Sequence, residues 1–126
     1  KTWAACAAVR PLVEAGTPAL FRPLVELFDE LRPGGDPDAL GRLTSIDLLL
    51  LDDVGTERPT EWTQERLYAL INRRWLDDRP TVATTNLNPT DLADVLGPRL
   101  YSRLAGGAVA VRMTGPDRRR TPGGDQ

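Results

Sequence analysis

Two adjacent carboxylates, Asp52 and Asp53, follow directly on the unbroken apolar run Leu48-Leu49-Leu50-Leu51. A buried strand that ends in two acids puts both at the C-terminal edge of a sheet, where open α/β folds bind ligands. There the first acid can hold a magnesium ion and the second can polarise an attacking water. The blander reading of the same residues is a strand followed by a solvated acidic turn. Lys1-Thr2 adds a second element, since it runs at once into the helix-forming stretch Trp3-Ala4-Ala5-Cys6-Ala7-Ala8. A phosphate-binding loop closes on Lys-[Ser/Thr] and opens a helix, so Lys1 would reach the β- and γ-phosphates of a nucleotide and Thr2 would ligate Mg²⁺.

Asn86 closes Thr84-Thr85-Asn86 at the end of a later strand, in the right chain order to lie beside the acids and orient water or a phosphate oxygen. Its alternative is a turn residue before the helix that begins near Asn88. Arg99 and Arg103 stand four residues apart on one face of a short helix and could reach a neighbouring subunit's nucleotide, touch nucleic-acid phosphate, or simply be solvated.

Composition narrows the chemistry to these groups. The 126 residues carry no His and one Cys, which excludes His-ligated metals, His-based acid–base catalysis and an internal disulfide framework. Lys and Arg number 16 against 18 Asp and Glu, a net charge of −2 that argues against a generally basic, nucleic-acid-coating surface. Arg112, Arg118, Arg119 and Arg120 make only the end locally basic. No apolar run approaches the ~20 residues of a membrane span.

The elements that must position these residues alternate. A helix is expected near 2–15, kinked or ended close to Pro11, then a short strand over 17–21 and an amphipathic helix over 23–32 carried by Leu24, Leu27, Phe28 and Leu31. A short helix over 38–43 leads into the buried strand 46–51. A helix capped by Thr60 runs to about Leu76, burying Leu67, Leu70, Ile71 and Trp75. A strand over 81–85, a helix from Asn88-Pro89 to Gly97, a helix over 98–104, a strand over Ala108–Met113 and a polar tail complete the order. Alternation of this kind predicts an α/β fold with a mostly parallel sheet.

Taken in order, Lys1-Thr2, LLLLDDVG at 48–55, ERLYALINRRW at 65–75, TVATTNL at 81–87, LGPRLYSRL at 96–104 and GPDRR at 115–119 resemble the AAA+ ATPases of the DnaC/IstB type. These are bacterial replicative-helicase loaders and related helper ATPases of transposition. The resemblance implies a P-loop NTPase three-layer sandwich that lacks its first strand and phosphate loop, with a partial core over 1–119 and a flexible tail over 120–126. It makes Lys1 and Thr2 the end of Walker A, Asp52 and Asp53 the Walker B pair, Asn86 sensor 1 and Arg103 the arginine finger, with Arg99 its neighbour. ATP and Mg²⁺ are the implied cofactors. A helicase hexamer, single-stranded DNA and a second copy reached through Arg103 are the implied partners, in the cytoplasm.

The pattern departs from the family in two places at the site. The glycine part of the phosphate loop is not among residues 1–126, so these residues alone are expected to bind and hydrolyse ATP poorly. Asp53 stands where many AAA+ proteins have Glu. A non-catalytic AAA+-like interaction module and a transposition helper are the alternative readings. A receiver-like signalling domain is disfavoured because no Lys occurs after Lys1.

Overall fold

A computed structural model of the chain describes residues 1–106 and 108–113. Helix α1 (Thr2–Glu14) is followed by strand β1 (Ala19–Pro23), helices α2 (Leu24–Leu31) and α3 (Ala39–Ser45), and strand β2 (Leu48–Asp52). Helix α4 (Glu61–Leu76), strand β3 (Thr81–Ala83), and helices α5 (Pro89–Leu96) and α6 (Pro98–Ala105) complete the order. The three strands form one parallel sheet in the order β1-β2-β3.

β2 lies in the middle and all five of its residues are buried. That placement explains its unbroken apolar run, because a central parallel strand meets packing on both faces. Leu49 and Leu51 join Leu24, Leu27, Leu67 and Leu70 in the main core, each contributing about 1.5–3 kcal/mol when fully withdrawn from water. Leu48 and Leu50 point the other way, into an apolar groove shared with Val9 and Val13 of α1. Helix α1 itself has no fully buried residue.

Pro11 neither ends α1 nor shortens it, since the helix continues to Glu14. The bond that Pro11 cannot make is the one to the carbonyl of Ala7, an exposed residue whose carbonyl water can satisfy. Residues 108–113, expected as a strand, have no regular structure, and Val109 and Val111 are exposed. Alternating β-branched residues suit a pleated surface but make a strand only by pairing, and this segment pairs with none of the three strands. Residues 115–119 of the expected motif, Arg118–Arg120 and the tail over 120–126 lie outside the described residues.

At the N-terminal end of the sheet, α4 inserts a charge. Arg74 is fully buried, donating through Nη1 to the carbonyls of Leu43 (2.9 Å) and Ile46 (2.6 Å), through Nη2 to Pro80 (2.7 Å) and Asp47 (3.3 Å), and through Nε to Thr81 Oγ1 (2.9 Å). One guanidinium thereby ties the C-terminus of α3 to the starts of β2 and β3. Burial lowers its pKa to about 10, which leaves it cationic at neutral pH. Trp75, expected in the core, is half exposed, because the inward face of α4 runs through Leu67, Leu70, Ile71 and Arg74, one position earlier.

Candidate functional site

The opposite end of β2 carries the acids. Asp52, its last residue, is 6% exposed, and its Oδ1 accepts from two threonine hydroxyls, Thr2 at 2.7 Å and Thr84 at 2.6 Å. The first bond joins residues fifty positions apart and brings the start of α1 onto the sheet edge. Lys1 follows it there, Nζ donating to the carbonyl of Thr85 at 2.8 Å. Lys1, Thr2, Asp52 and Asp53 therefore meet at one edge, as the sequence pattern requires.

Asp53 leaves the strand abruptly. Its φ of 56° is left-handed, a conformation that Asp tolerates better than most residues but at a cost. The turn is held from the neighbouring strand: the Asp53 N–H donates to Thr84 Oγ1 at 3.0 Å, and the Val54 N–H donates to the Thr84 carbonyl at 2.8 Å. Thr56 grips the Asp53 carbonyl through its hydroxyl at 2.9 Å. The Asp53 side chain is left exposed to solvent.

The strand expected over 81–85 stops at Ala83 because the next two residues spend their groups on the acid turn. The Thr84 hydroxyl donates to Asp52 and accepts from Asp53, while the Thr85 hydroxyl donates to the Val54 carbonyl at 2.6 Å and accepts from the Leu87 N–H at 3.1 Å. Asn86 follows, exposed, its side chain making no hydrogen bond among the described residues. Thr84 was not among the candidate residues. Its only signal in the sequence is a pair of hydroxyl residues immediately after an apolar β-branched strand.

Arg99 and Arg103 lie elsewhere. Gly97, with φ 87°, turns the chain from α5 into α6, where the buried Leu100 faces the core. The Gln64 side-chain amide of α4 donates to the Leu96 carbonyl at this corner. Arg99 stacks over the Tyr68 ring at 4.0 Å and Arg103 over the Trp75 ring at 4.6 Å, and neither bonds to the acid edge of its own chain. Hydrogen bonding from the Arg103 guanidinium, and next from Arg99, holds the Tyr68 hydroxyl below its ordinary pKa.

Among the described residues no group of three or more His, Cys, Asp or Glu could hold a metal, and no helix is long and apolar enough to cross a membrane. The donors gathered at the edge are instead hydroxyl and carboxylate oxygens in small number. Such a set suits a hard cation that keeps several waters and shares its remaining positions with phosphate. The Thr2 hydroxyl, with its proton committed to Asp52, offers its free lone pairs to such an ion.

A parallel α/β sheet with Lys-Thr at a helix start, hydrogen-bonded through Thr2 to an acid at the end of the central strand, resembles the P-loop domains of the AAA+ kind. The fold matches those of the AAA+ domains of DnaA and DnaC. Against the crystal structure of the DnaC helicase loader the TM-score is 0.72 at 26% identity, over 82% of this chain and 66% of that one. Against AMPPCP-bound DnaA from Aquifex aeolicus it is 0.70 at 25% identity, over 81% and 33%.

Sequence relatives agree. The phage-like element PBSX protein XkdC of Bacillus subtilis is 29% identical over 105 residues, 75% of this chain and 40% of the relative. The replicative helicase loader DnaC of Escherichia coli K12 is 28% identical over 78 residues, 60% and 32%. The chain thus spans about a third to two fifths of the length of these curated relatives. No protein-family model matches it. The resemblance read from the motifs stands: this is a relative of DnaC-type AAA+ proteins of DNA replication.

Proposed function

We propose that this chain is the nucleotide-responsive part of a helicase-loader-type ATPase, holding ATP with Mg²⁺ at the C-terminal edge of its sheet. The observation that carries the reading is the Thr2–Asp52 hydrogen bond, which sets the Lys-Thr pair against the acids. Lys1 neutralises the β- and γ-phosphates, and Thr2 and Asp52 hold the metal. Asp53 and Asn86, both exposed at the same edge, place and polarise the attacking water. When bound, Mg²⁺ neutralises charge that develops on the phosphate oxygens.

Arg103, with Arg99 beside it, serves the site of a neighbouring copy, a role supported by its place over Trp75, where it makes no bond to its own acid pair. Hydrolysis then depends on assembly, and the nucleotide state governs contacts with single-stranded DNA and a hexameric helicase in the cytoplasm. DnaA has been captured with AMPPCP and single-stranded DNA together, which supports this coupling by analogy.

Lys1 and Thr2 supply only two side-chain contacts, whereas a phosphate loop also cradles its ligand with backbone N–H groups. The test is to compare residues 1–126 alone with the same residues joined behind a strand ending in G-x-x-x-x-G. The extended form is expected to bind MgATP and turn it over, the shorter form to do so poorly. Asp53→Ala in the extended form should lower turnover about 10²-fold or more while binding persists. An extended form that binds no MgATP would overturn the reading, as would turnover indifferent to Asp53→Ala.

A further inference from the structure

The described arginines divide by what holds them. Seven are ion-paired with Asp or Glu side chains, and Arg74 is buried on carbonyls. Arg66, Arg99, Arg103 and the exposed Arg112 have no carboxylate partner among the described residues, and the first three lie over aromatic rings, all borne by α4: Trp62 at 4.5 Å, Tyr68 at 4.0 Å and Trp75 at 4.6 Å.

The last two pairs form a unit. Tyr68 and Trp75 are seven residues apart, two helical turns along one face of α4. Arg99 and Arg103 are one turn apart on α6, which packs against that face. A guanidinium held over a ring meets it with its π-face, so the N–H donors that are not given to the Tyr68 hydroxyl stay available. A carboxylate partner would have consumed those same donors. The unpaired state of both arginines and the exposure of Trp75, unexpected for a tryptophan on an amphipathic helix, have one explanation in common.

We propose that Tyr68 and Trp75 are positioning residues that lay Arg99 and Arg103 against α4 and turn their free edges outward as a preformed docking edge for the polyphosphate of a nucleotide held by a second copy of this chain. The inference rests on the reading of Arg103 as the residue that completes a neighbour's site. Its physical content is preorganisation: two long, mobile side chains are ordered before the anion arrives, so binding orders less. The two guanidinia also repel each other, and the ring faces together with an incoming polyanion offset that repulsion.

The test follows the arginine Nε–Hε signals of the isotopically labelled chain by NMR, with inorganic tripolyphosphate as probe at low ionic strength. Tripolyphosphate should shift the Arg99 and Arg103 signals and leave the buried Arg74 signal in place, the latter reporting that each variant is folded. Trp75→Ala should weaken the response about five-fold although both arginines remain, and Trp75→Phe, which keeps a ring, should restore it to within about two-fold. No shift at Arg99 and Arg103, or an equal response in the Trp75→Ala chain, overturns the proposal.

The second copy is tested in the form joined behind a strand ending in G-x-x-x-x-G, by mixing labelled Asp52→Asn chain with unlabelled chain of unchanged sequence in MgATP. Shifts at Arg99 and Arg103 beyond those of the labelled Asp52→Asn chain alone in MgATP then report nucleotide held by the other copy, and the absence of that excess overturns the assigned occupant. The underlying reading fails by a separate signal, the absence of MgATP-induced shifts at the Thr2, Asp52 and Asp53 amides of the extended form.

Discussion

The two ends of β2 treat charge in opposite ways. At the base, Arg74 is sealed from water and every nitrogen of its guanidinium meets an acceptor. At the other end, Asp52 is nearly as buried but shares its two hydroxyl donors on one oxygen, and Asp53 sits beside it exposed on a left-handed turn. The base closes its own hydrogen-bond account; the edge leaves oxygen valence and a strained backbone in place. Stability is concentrated where nothing more can bind, and binding capacity where folding is least favourable.

Substitutions can break this contrast, beginning at the base. Arg74→Ala strands the carbonyls of Leu43, Ile46 and Pro80 in the interior, and should cost about 3–5 kcal/mol in urea unfolding, enough to threaten folding. Arg74→Lys, without the planar fork, should recover less than half of that. A loss below about 1 kcal/mol for Arg74→Ala would mean that the clamp is not what secures the sheet base.

At the edge, Asp52→Asn keeps an oxygen acceptor for Thr2 and Thr84 but loses charge assistance, so its unfolding free energy should fall by only about 1–2 kcal/mol. Thr84→Val removes one hydroxyl that serves both acids and should cost about 1 kcal/mol, measured the same way, with Thr84→Ser close to the parent. Losses as large as that of Arg74→Ala would erase the distinction between the ends. The smallest effect has the opposite sign: Asp53→Gly should raise stability by about 0.5 kcal/mol by relieving the left-handed turn, and a fall in the unfolding midpoint would show that the turn carries no strain.

Both ends were unequally legible in the sequence. The acid edge could be read because an apolar run followed by two acids carries its own geometry, and because Lys1-Thr2 lies at the right chain distance. The order of helices and strands through Ala105 followed from periodicity and caps, such as Asn88 accepting from the Asp91 N–H. The base could not be read. Apolar patterning favours Trp75 for the core, whereas the interior at that point is lined with the carbonyls of three other elements and selects Arg74. Thr84 was hidden for the same reason, since its partners are the acids of another strand. Residues 108–113 depart from the strand expected of them because alternation reports a preference for pairing and says nothing of the partner.

The left-handed turn at position 53 also bears on how the site can drift. Asn and Gly are each one base change from Asp and, with it, are the residues most at ease at φ 56°. Glu is equally near in the code, but its longer arm has no such backbone tolerance. A lineage carrying this turn therefore finds its silent routes leading toward loss of the carboxylate, and the route toward a longer one obstructed by the main chain. Retention of Asp53 would then record selection on chemistry acting against the easier path.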